Sequence, residues 1–346
     1  MIAMKAMAVM QGGRPVAPNV ELIEVESPVA AAGEILVRTE AAALNHLDLW
    51  VGMGIPGVER PWPRITGSDG VGIVEAVGSG VDEVWIGRRV IMNAAIEVTT
   101  AHHPEIDPAG EHLSMIGEHI AGAMAQQFVV PVSNVLDIGD ADPNTAAAFG
   151  LAHLTAWRMI RTRARLRTGE WVLIPGIGGG VATAALGIVK HLGGRAIVTS
   201  RHQSKLDRAI ELGADAAVLD EGTDWSREVR GITGRRGVDV CIDSVGRAVH
   251  LACLKSLARS GRLVTCGCTS GSDPETDLTR IFWNQLSIMG STMGDMAEFR
   301  EVVHLFRTGR LSPVVDGVYP WTDGLVAWER LESGAQCGKL VIDWTA

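Results

Sequence analysis

The stretch 171–201 constrains this chain more than any other. Trp171, Val172, Leu173 and Ile174 form the short apolar run of a fully buried strand. Glycines follow at 176, 178, 179 and 180. A helical run then continues until Gly193 and Gly194 stop it, and a second apolar run covers 196–199. Strand, turn, helix and strand follow one another in the length that a parallel crossover needs.

The turn restricts chemistry as well as topology. Gly176 permits a sharp exit from the strand, and Gly178 lets the backbone approach a ligand with no side chain in the way. The N–H groups that open the helix, from Gly179, Gly180 and Val181, would then face a pyrophosphate. The third small residue is Ala182, so the pattern is GxGxxxA and not GxGxxG. A glycine string also marks ordinary tight turns. The readable strand before it and helix after it favour a dinucleotide site.

The end of the second strand bears on which dinucleotide. NAD sites usually place an acidic residue there, for the ribose hydroxyls. This chain has Thr199, Ser200 and Arg201, with Lys205 one helical turn on and no carboxylate before Asp207. A hydroxyl, a guanidinium and an ammonium suit a 2′-phosphate, which predicts NADPH. The plainer alternative is a basic helix start that faces solvent.

At 346 residues the chain exceeds one ordinary core and suits two domains. Hydrophobic residues at 47 % and a mean hydropathy of +0.17 indicate a well-buried globular protein. A net charge of −9 gives no reason to expect nucleic acid or an anionic membrane as partner. The N-terminal residues lack a signal-peptide pattern, and no apolar run reaches spanning length. The expectation is a cytoplasmic protein acting on a small molecule. The five cysteines, at 241, 253, 266, 268 and 337, include no CxxC pair and read as reduced thiols.

The order of elements gives an α/β fold. Residues 1–130 have β character, with strands expected at 4–10, 20–25, 34–43 and 123–130. Residues 93–122 form a polar lobe with Pro104, Pro108 and four histidines. A helix is expected over 142–165. Helices and strands then alternate from 171 to 307, which argues for a doubly wound parallel sheet. The tail, 314–344, returns to the first domain. The predicted division is 1–140 with 295–346, and 141–294.

These motifs, in this order, resemble the medium-chain dehydrogenase/reductase superfamily, which contains the zinc alcohol dehydrogenases and the quinone oxidoreductases. The resemblance spans the chain. It rests on the glycine rhythm from Gly67 to Gly80, on Gly87 to Val90, and on Leu154, Thr155, Ala156 and Trp157. The glycine turn, Leu212 to Asp215, Asp243 to Gly246, and the late Gly338 and Lys339 complete it. It implies a GroES-like β-rich catalytic domain plus a Rossmann domain, with hydride transfer to or from nicotinamide in the cleft between them. For the cofactor it implies Thr155, Gly176, Gly178, Gly179, Gly180, Val181, Ser200, Arg201, Lys205, Ser244, Val245, Gly267, Cys268 and Lys339. The apolar run 286–289 resembles the edge that joins subunits in this family, so a homodimer, or a homotetramer built from dimers, is expected.

The departures point to one branch. Zinc members have a cysteine ligand where this chain has Asn45, and His-Glu where it has Ser68 and Asp69. Their third ligand falls near 150–152, where no ligand side chain stands. The lobe lacks the four cysteines of a structural zinc site. No metal is expected, and the chain resembles the quinone oxidoreductase-like branch. Without a Lewis acid, an activated C=C bond or a quinone is easier to reduce than a simple ketone, because charge spreads into an enolate. Two alternatives stand beside this reading: a zinc-free carbonyl or iminium reductase, and a non-catalytic NADPH-binding protein.

The candidate catalytic residues are Asn45, Asp48, Trp50 and Ser68. Many relatives have a tyrosine after the aspartate, but this chain has Trp50 there and its only tyrosine is Tyr319. Solvent, Asn45, Asp48, Ser68 or Asp69 could supply or orient the proton. The plainer reading of Asp48 is a loop fixed through backbone N–H groups, and of Ser68 and Asp69 a capped turn. His102, His103, His112 and His119 read as a solvated loop that matches no zinc spacing. His46 and His153 are default packing or surface imidazoles.

Overall fold

The computed structural model describes residues 3–54, 61–98 and 112–346. The chain divides into two compact units. The first holds residues 1–151, 295–303 and 315–346, and the second 152–294 and 304–314. The boundary falls at 151/152 and not at 140/141, inside the helix Pro143–Trp157, and residues 304–314 join the second unit.

The first unit is β-rich and centred on the eleven-residue strand Glu34–Leu44. Its run from Ala41 to Leu44 is fully buried, and small side chains there let three strands pack around it. It pairs antiparallel with Gly70–Val77, Gln127–Pro131 and Lys339–Asp343. The first and last of these have buried, apolar inner positions. Gly72 marks the closest approach, since a Cβ there would overlap the Arg38 carbonyl. The sheet continues through Arg89–Met92 and Val135–Asp137 on one side, and Val315–Pro320 on the other. Ala3–Val9, Val20–Glu26 and Arg64–Ile65 form a second, three-stranded sheet.

One pairing matters most for function. The strand Lys339–Asp343 is nearly the last of the chain, yet it inserts beside the central strand with Leu340 opposite Leu44. That register sets Lys339 next to Asn45.

The second unit contains a six-stranded, all-parallel sheet. Its order is Ala216–Leu219, Arg195–Ser200, Trp171–Ile174, Val238–Asp243, Leu257–Thr265, Ser287–Gly290. Numbered along the chain this is 3-2-1-4-5-6, with the reversal between the first and fourth strands. Val172, Leu173 and Ile174 are completely buried, as are Ala196, Ile197 and Val198. Such continuous burial follows from helices covering both faces of a parallel sheet. The fold is thus α/β, a GroES-like unit plus a Rossmann-like unit.

Local differences from the sequence reading have local causes. The strand expected over 123–130 begins only at Gln127. Ahead of it, Gly122, Ala123 and Met124 donate backbone hydrogen bonds to Ile65, Gly67 and Thr66. The helix Pro143–Trp157 ends in a wider π-turn, Arg158–Arg163. The helix Leu278–Asn284, absent from the sequence reading, is capped by the Asp277 carboxylate on Arg280 N. In the lobe, Ala95–Val98 pairs with His112–Met115. His102 and His103 lie outside the described residues, as does the side chain of His112. Among the described residues, no helix is long and apolar enough to cross a membrane.

Candidate active site

Asn45 sits between the strand Glu34–Leu44 and the helix His46–Met53. Its backbone N–H donates to Asp48 Oδ2 at 2.7 Å, one arm of a capping box. Asp48 Oδ1 accepts from Gly67 N at 2.8 Å. Complete burial pushes the Asp48 carboxyl above the usual aspartate range, against the pull of these two backbone N–H groups and of the Lys339 charge. Both its oxygens are therefore engaged in holding a helix start against the turn at Gly67.

The side chains of Asn45, Asp69 and Lys339 form a second, adjoining network. Lys339 Nζ donates to Leu44 O at 2.8 Å, Asn45 Oδ1 at 2.5 Å and Asp69 Oδ2 at 2.9 Å. Asn45 Nδ2 donates to Asp69 Oδ2 at 2.9 Å and to Ala43 O at 3.3 Å. Asp69 Oδ1 accepts from Leu151 N at 2.6 Å, inside a helix. Gly150 is what admits the carboxylate, since a Cβ there would overlap Asp69 Oδ1. Relative exposures of 8 % for Asn45, 1 % for Asp69 and 4 % for Lys339 leave little room for water. An ammonium has three donors and no acceptor, and all three are used.

This arrangement bears on several of the expected residues. Lys339 was expected at the cofactor, yet its N–H groups are all held within the first unit by Leu44, Asn45 and Asp69. The Ser68 hydroxyl donates to Ile116 O at 2.7 Å and is buried. Trp50 is half-buried and meets His46 edge to face, with ring centroids 5.6 Å apart. His46 is held below the usual imidazole range by desolvation and by the Arg14 charge, so it is neutral at pH 7. His119 Nδ1 accepts from Met115 N at 3.1 Å within its own turn.

The donor set does not fit zinc. Catalytic zinc needs three nitrogen, sulfur or oxygen ligands and an open fourth position. The corresponding places here hold the Asn45 amide, the Ser68 hydroxyl beside the Asp69 carboxylate, and Gly150; the hydroxyl donates to Ile116 O, and an ammonium lies against the amide and the carboxylate. Among the described residues, no three His, Cys, Asp or Glu side chains are grouped to hold a metal.

In the second unit, the candidate cofactor residues converge at the carboxyl end of the parallel sheet. Gly176 and Gly178 have φ of +67° and +125°, conformations that other residues rarely adopt. The helix Gly180–His191 begins at Gly179 with no side-chain cap, and a Cβ at Gly179 would meet open space. Its first N–H groups are therefore placed for an anion. Ile177 N donates to Thr199 O at 2.8 Å, which ties the glycine turn to the end of the neighbouring strand. There Ser200 is buried and Arg201 exposed. The Lys205 side chain lies along the turn, its Nζ 3.2 Å from the Cβ position of Gly178.

The loops after the fourth and fifth strands join the same edge. Val245 packs beside Gly176, Cys266 N donates to Asp243 O, and Ser270 N donates to Val245 O. Val245 thus borders the turn, Ser244, Gly267 and Cys268 lie in the same two loops, and Cys268 is exposed. Thr155 is buried, with its hydroxyl 3.7 Å from Met293 Sδ. Burial pushes the Cys266 thiol up to about 12, so it is no nucleophile near neutrality. These residues fit a dinucleotide: an uncapped helix start, a glycine-rich turn, and a hydroxyl and two cations at the strand end.

Two functional positions escaped sequence reasoning. Gly150 is one, because nothing in a helix-compatible run marks a residue that a remote carboxylate must approach. Asp243 is the other. It ends the fourth strand, is 1 % exposed, and accepts from Val245 N at 2.7 Å and Gly246 N at 3.2 Å. The DSVG motif itself was the available signal.

Burial pushes the Asp243 carboxyl up to about 6, above the ordinary 3.8, with the two backbone N–H groups opposing. A folded-state value above the unfolded one means that stability is lost as pH rises from about 4 to 6 and stays lost above it. Asp243→Asn keeps an accepting oxygen and cannot ionise. The variant should lack this component of the pH dependence, worth ~3 kcal/mol above pH 6. Thermal midpoints of both proteins from pH 4 to 8 check it; parallel curves would refute it.

Comparison with known proteins agrees with this architecture. The family model described as an alcohol dehydrogenase GroES-like domain matches residues 31–140, and the one described as a zinc-binding dehydrogenase matches 180–308. A solved NAD-dependent alcohol dehydrogenase superposes with a TM-score of 0.91 at 34 % identity, over 98 % of this chain and 99 % of that one. The zinc-type alcohol dehydrogenase-like protein YogA of Leptosphaeria maculans is 29 % identical over 96 % of each chain. The acryloyl-coenzyme A reductase of Sulfurisphaera tokodaii is 27 % identical over 93 % of this chain and 96 % of its own length. Matched from end to end in both units, the chain belongs to the medium-chain zinc alcohol dehydrogenase superfamily of oxidoreductases that use a nicotinamide cofactor.

Proposed function

We propose that this oxidoreductase reduces an activated C=C bond or a quinone with NADPH and without a metal. The observation that carries the reading is the Lys339–Asp69–Asn45 network at the places of the metal ligands. With no Lewis acid to stabilise an alkoxide, hydride addition next to a conjugated carbonyl is the reaction that weak polar groups can support. The likeness to an acryloyl-coenzyme A reductase supports this substrate class. The alcohol dehydrogenase names of other relatives favour the second reading, a zinc-free carbonyl or iminium reductase.

In this reading NADPH supplies the hydride. The N–H groups of Gly178, Gly179, Gly180 and Val181 bind its pyrophosphate, and Ser200, Arg201 and Lys205 its 2′-phosphate. Thr155, Ser244, Val245, Gly267 and Cys268 border the ribose and nicotinamide. Asp48 keeps the loop at Gly67 in place and takes no part in proton transfer, since both of its oxygens are engaged. Solvent is then the simplest proton source.

A homodimer through the sheet edge belongs to the same proposal. Ser287–Gly290 is an edge strand, and Leu278, Phe282, Trp283 and Ile288 beside it are exposed. Trp283→Glu should convert a dimer to a monomer in sedimentation equilibrium; a monomeric wild-type protein would refute the interface.

Absorbance at 340 nm tests the chemistry, with metal-stripped protein and a panel of quinones, enones, enoyl thioesters and ketones. Turnover of quinones, enones or enoyl thioesters that prefers NADPH and ignores chelator is expected. Activity on ketones alone that zinc restores would overturn the proposal. Arg201→Ala and Lys205→Ala should each raise the KM for NADPH about tenfold or more while leaving that for NADH nearly unchanged. Equal effects on both cofactors would refute the 2′-phosphate site.

A further inference from the structure

We infer that the amino end of the parallel sheet in the second unit is a docking surface for the phosphate backbone of a nucleic acid. The inference goes beyond the proposed reaction and uses none of its residues. The net charge of −9 conceals a division. The first unit holds 10 Lys and Arg against 27 Asp and Glu, a net −17, and the second 21 against 13, a net +8. Arg201 and Lys205 serve the cofactor edge, but a group of arginines gathers at the opposite end of the strands.

Parallel strands all start at one end of a sheet, so the segments that lead into them meet there. Arg165 and Arg167 precede the strand Trp171–Ile174, Arg195 opens Arg195–Ser200, Arg235 precedes Val238–Asp243, and Arg259 lies early in Leu257–Thr265. These strands are consecutive neighbours, which at about 4.8 Å per strand makes a row roughly 15 Å wide. The rise from Arg195 to Ser200 puts that row roughly 17 Å from the cofactor edge. Arg310 joins it near the end of the helix Gly180–His191; desolvation, and then the Arg310 charge, hold His191 below the usual imidazole range. All six arginines are exposed.

The carboxylates nearby are already paired. Glu170 holds Arg262 at 2.5 Å, Asp239 holds Arg236 at 2.6 Å, and Asp215 holds Lys190 at 2.7 Å. Among the described residues, none of the six arginines forms an ion pair. Cations near helix ends commonly meet carbonyls, and Arg230 does so, on Leu257 O and Arg235 O. Of the six, only Arg259 is held that way, on Trp283 O. Arg195 lies over the Trp171 ring, 5.4 Å from its centroid. Like charges gathered in this way repel one another, and a polyanion relieves the repulsion.

The chemistry of the surface selects the partner. The segments that carry the six arginines expose one large apolar side chain, Ile232. Phe282 and Trp283, beside Arg259, belong to the edge proposed for the dimer. A protein interface needs an apolar core, and stable attachment to a lipid surface an apolar anchor. A phosphate backbone needs neither, because release of its counterions drives association. Each guanidinium can meet two phosphate oxygens side by side. Contacts of this kind carry no base information, so recognition is independent of sequence.

Fluorescence anisotropy of the full chain with a labelled oligothymidylate tests this. A Kd of about 1 μM is expected at about 50 mM salt, with log affinity falling against log salt at a slope of about −4, as five or six neutralised phosphates require. No binding, or a slope shallower than about −1, would overturn the inference. Arg165→Ala, Arg167→Ala and Arg235→Ala combined should weaken binding about tenfold or more and cut the slope by about 2, with Tm and NADPH affinity unchanged. Undiminished binding by that variant would overturn the assignment of the surface. Saturating NADPH should not displace the oligonucleotide, and Arg201→Ala with Lys205→Ala should bind it as wild type does. Displacement, or loss of binding in that variant, would put the oligonucleotide in the dinucleotide site and overturn the inference. Polyglutamate should compete about tenfold more weakly than unlabelled oligothymidylate. Equal competition would make an acidic protein the partner instead. None of these readouts uses acceptor turnover, so their failure is distinct from failure of the proposed reaction.

Discussion

The pairing of the strand Lys339–Asp343 with Glu34–Leu44 is the constraint on which the first unit depends. It fills the sheet beside the central strand and, through the register Leu340 opposite Leu44, delivers an ammonium to Asn45 and Asp69. A buried ion pair is seldom a large net source of stability, because desolvation of both ions offsets their attraction. Its effect is asymmetric: intact it costs little, but either partner alone is strongly unfavourable. The network therefore acts as a constraint on identity at Asn45, Asp69, Gly150 and Lys339 together.

A second constraint organises the other unit. Parallel strands need crossovers, and the reversal of strand order opens a crevice at their carboxyl ends. The glycine turn, the strand end at Ser200 and the loops after Asp243 and Thr265 all meet along that edge. Asp243 shows how the edge is held. Its carboxylate closes the turn at Val245 and Gly246 while burial disfavours its charge. Main-chain order at the site is thus maintained at some cost to stability near neutral pH.

The two units bear differently on function. The second supplies features that any nicotinamide enzyme of this fold would use. The first carries a closed network of an amide, a carboxylate and an ammonium, formed by Asn45, Asp69 and Lys339. The buried Asp69 carboxylate is neutralised by an ammonium of the same chain.

The sequence by itself determined the parallel sheet, the glycine turn and the basic strand end, because each is written in neighbouring residues with a period or a spacing. It also showed that the metal-ligand places hold other residues, since a substitution at a motif is visible without a fold. The partners of those residues were not legible. Lys339 read as a late motif residue of the cofactor set, and 150–152 as a stretch without a ligand side chain. Only the tertiary structure decided that a strand near the end of the chain brings an amine to a carboxylate 270 residues away. The reason is physical: local sequence patterns encode which face of an element is buried, whereas the partner of a buried charge is chosen by strand register.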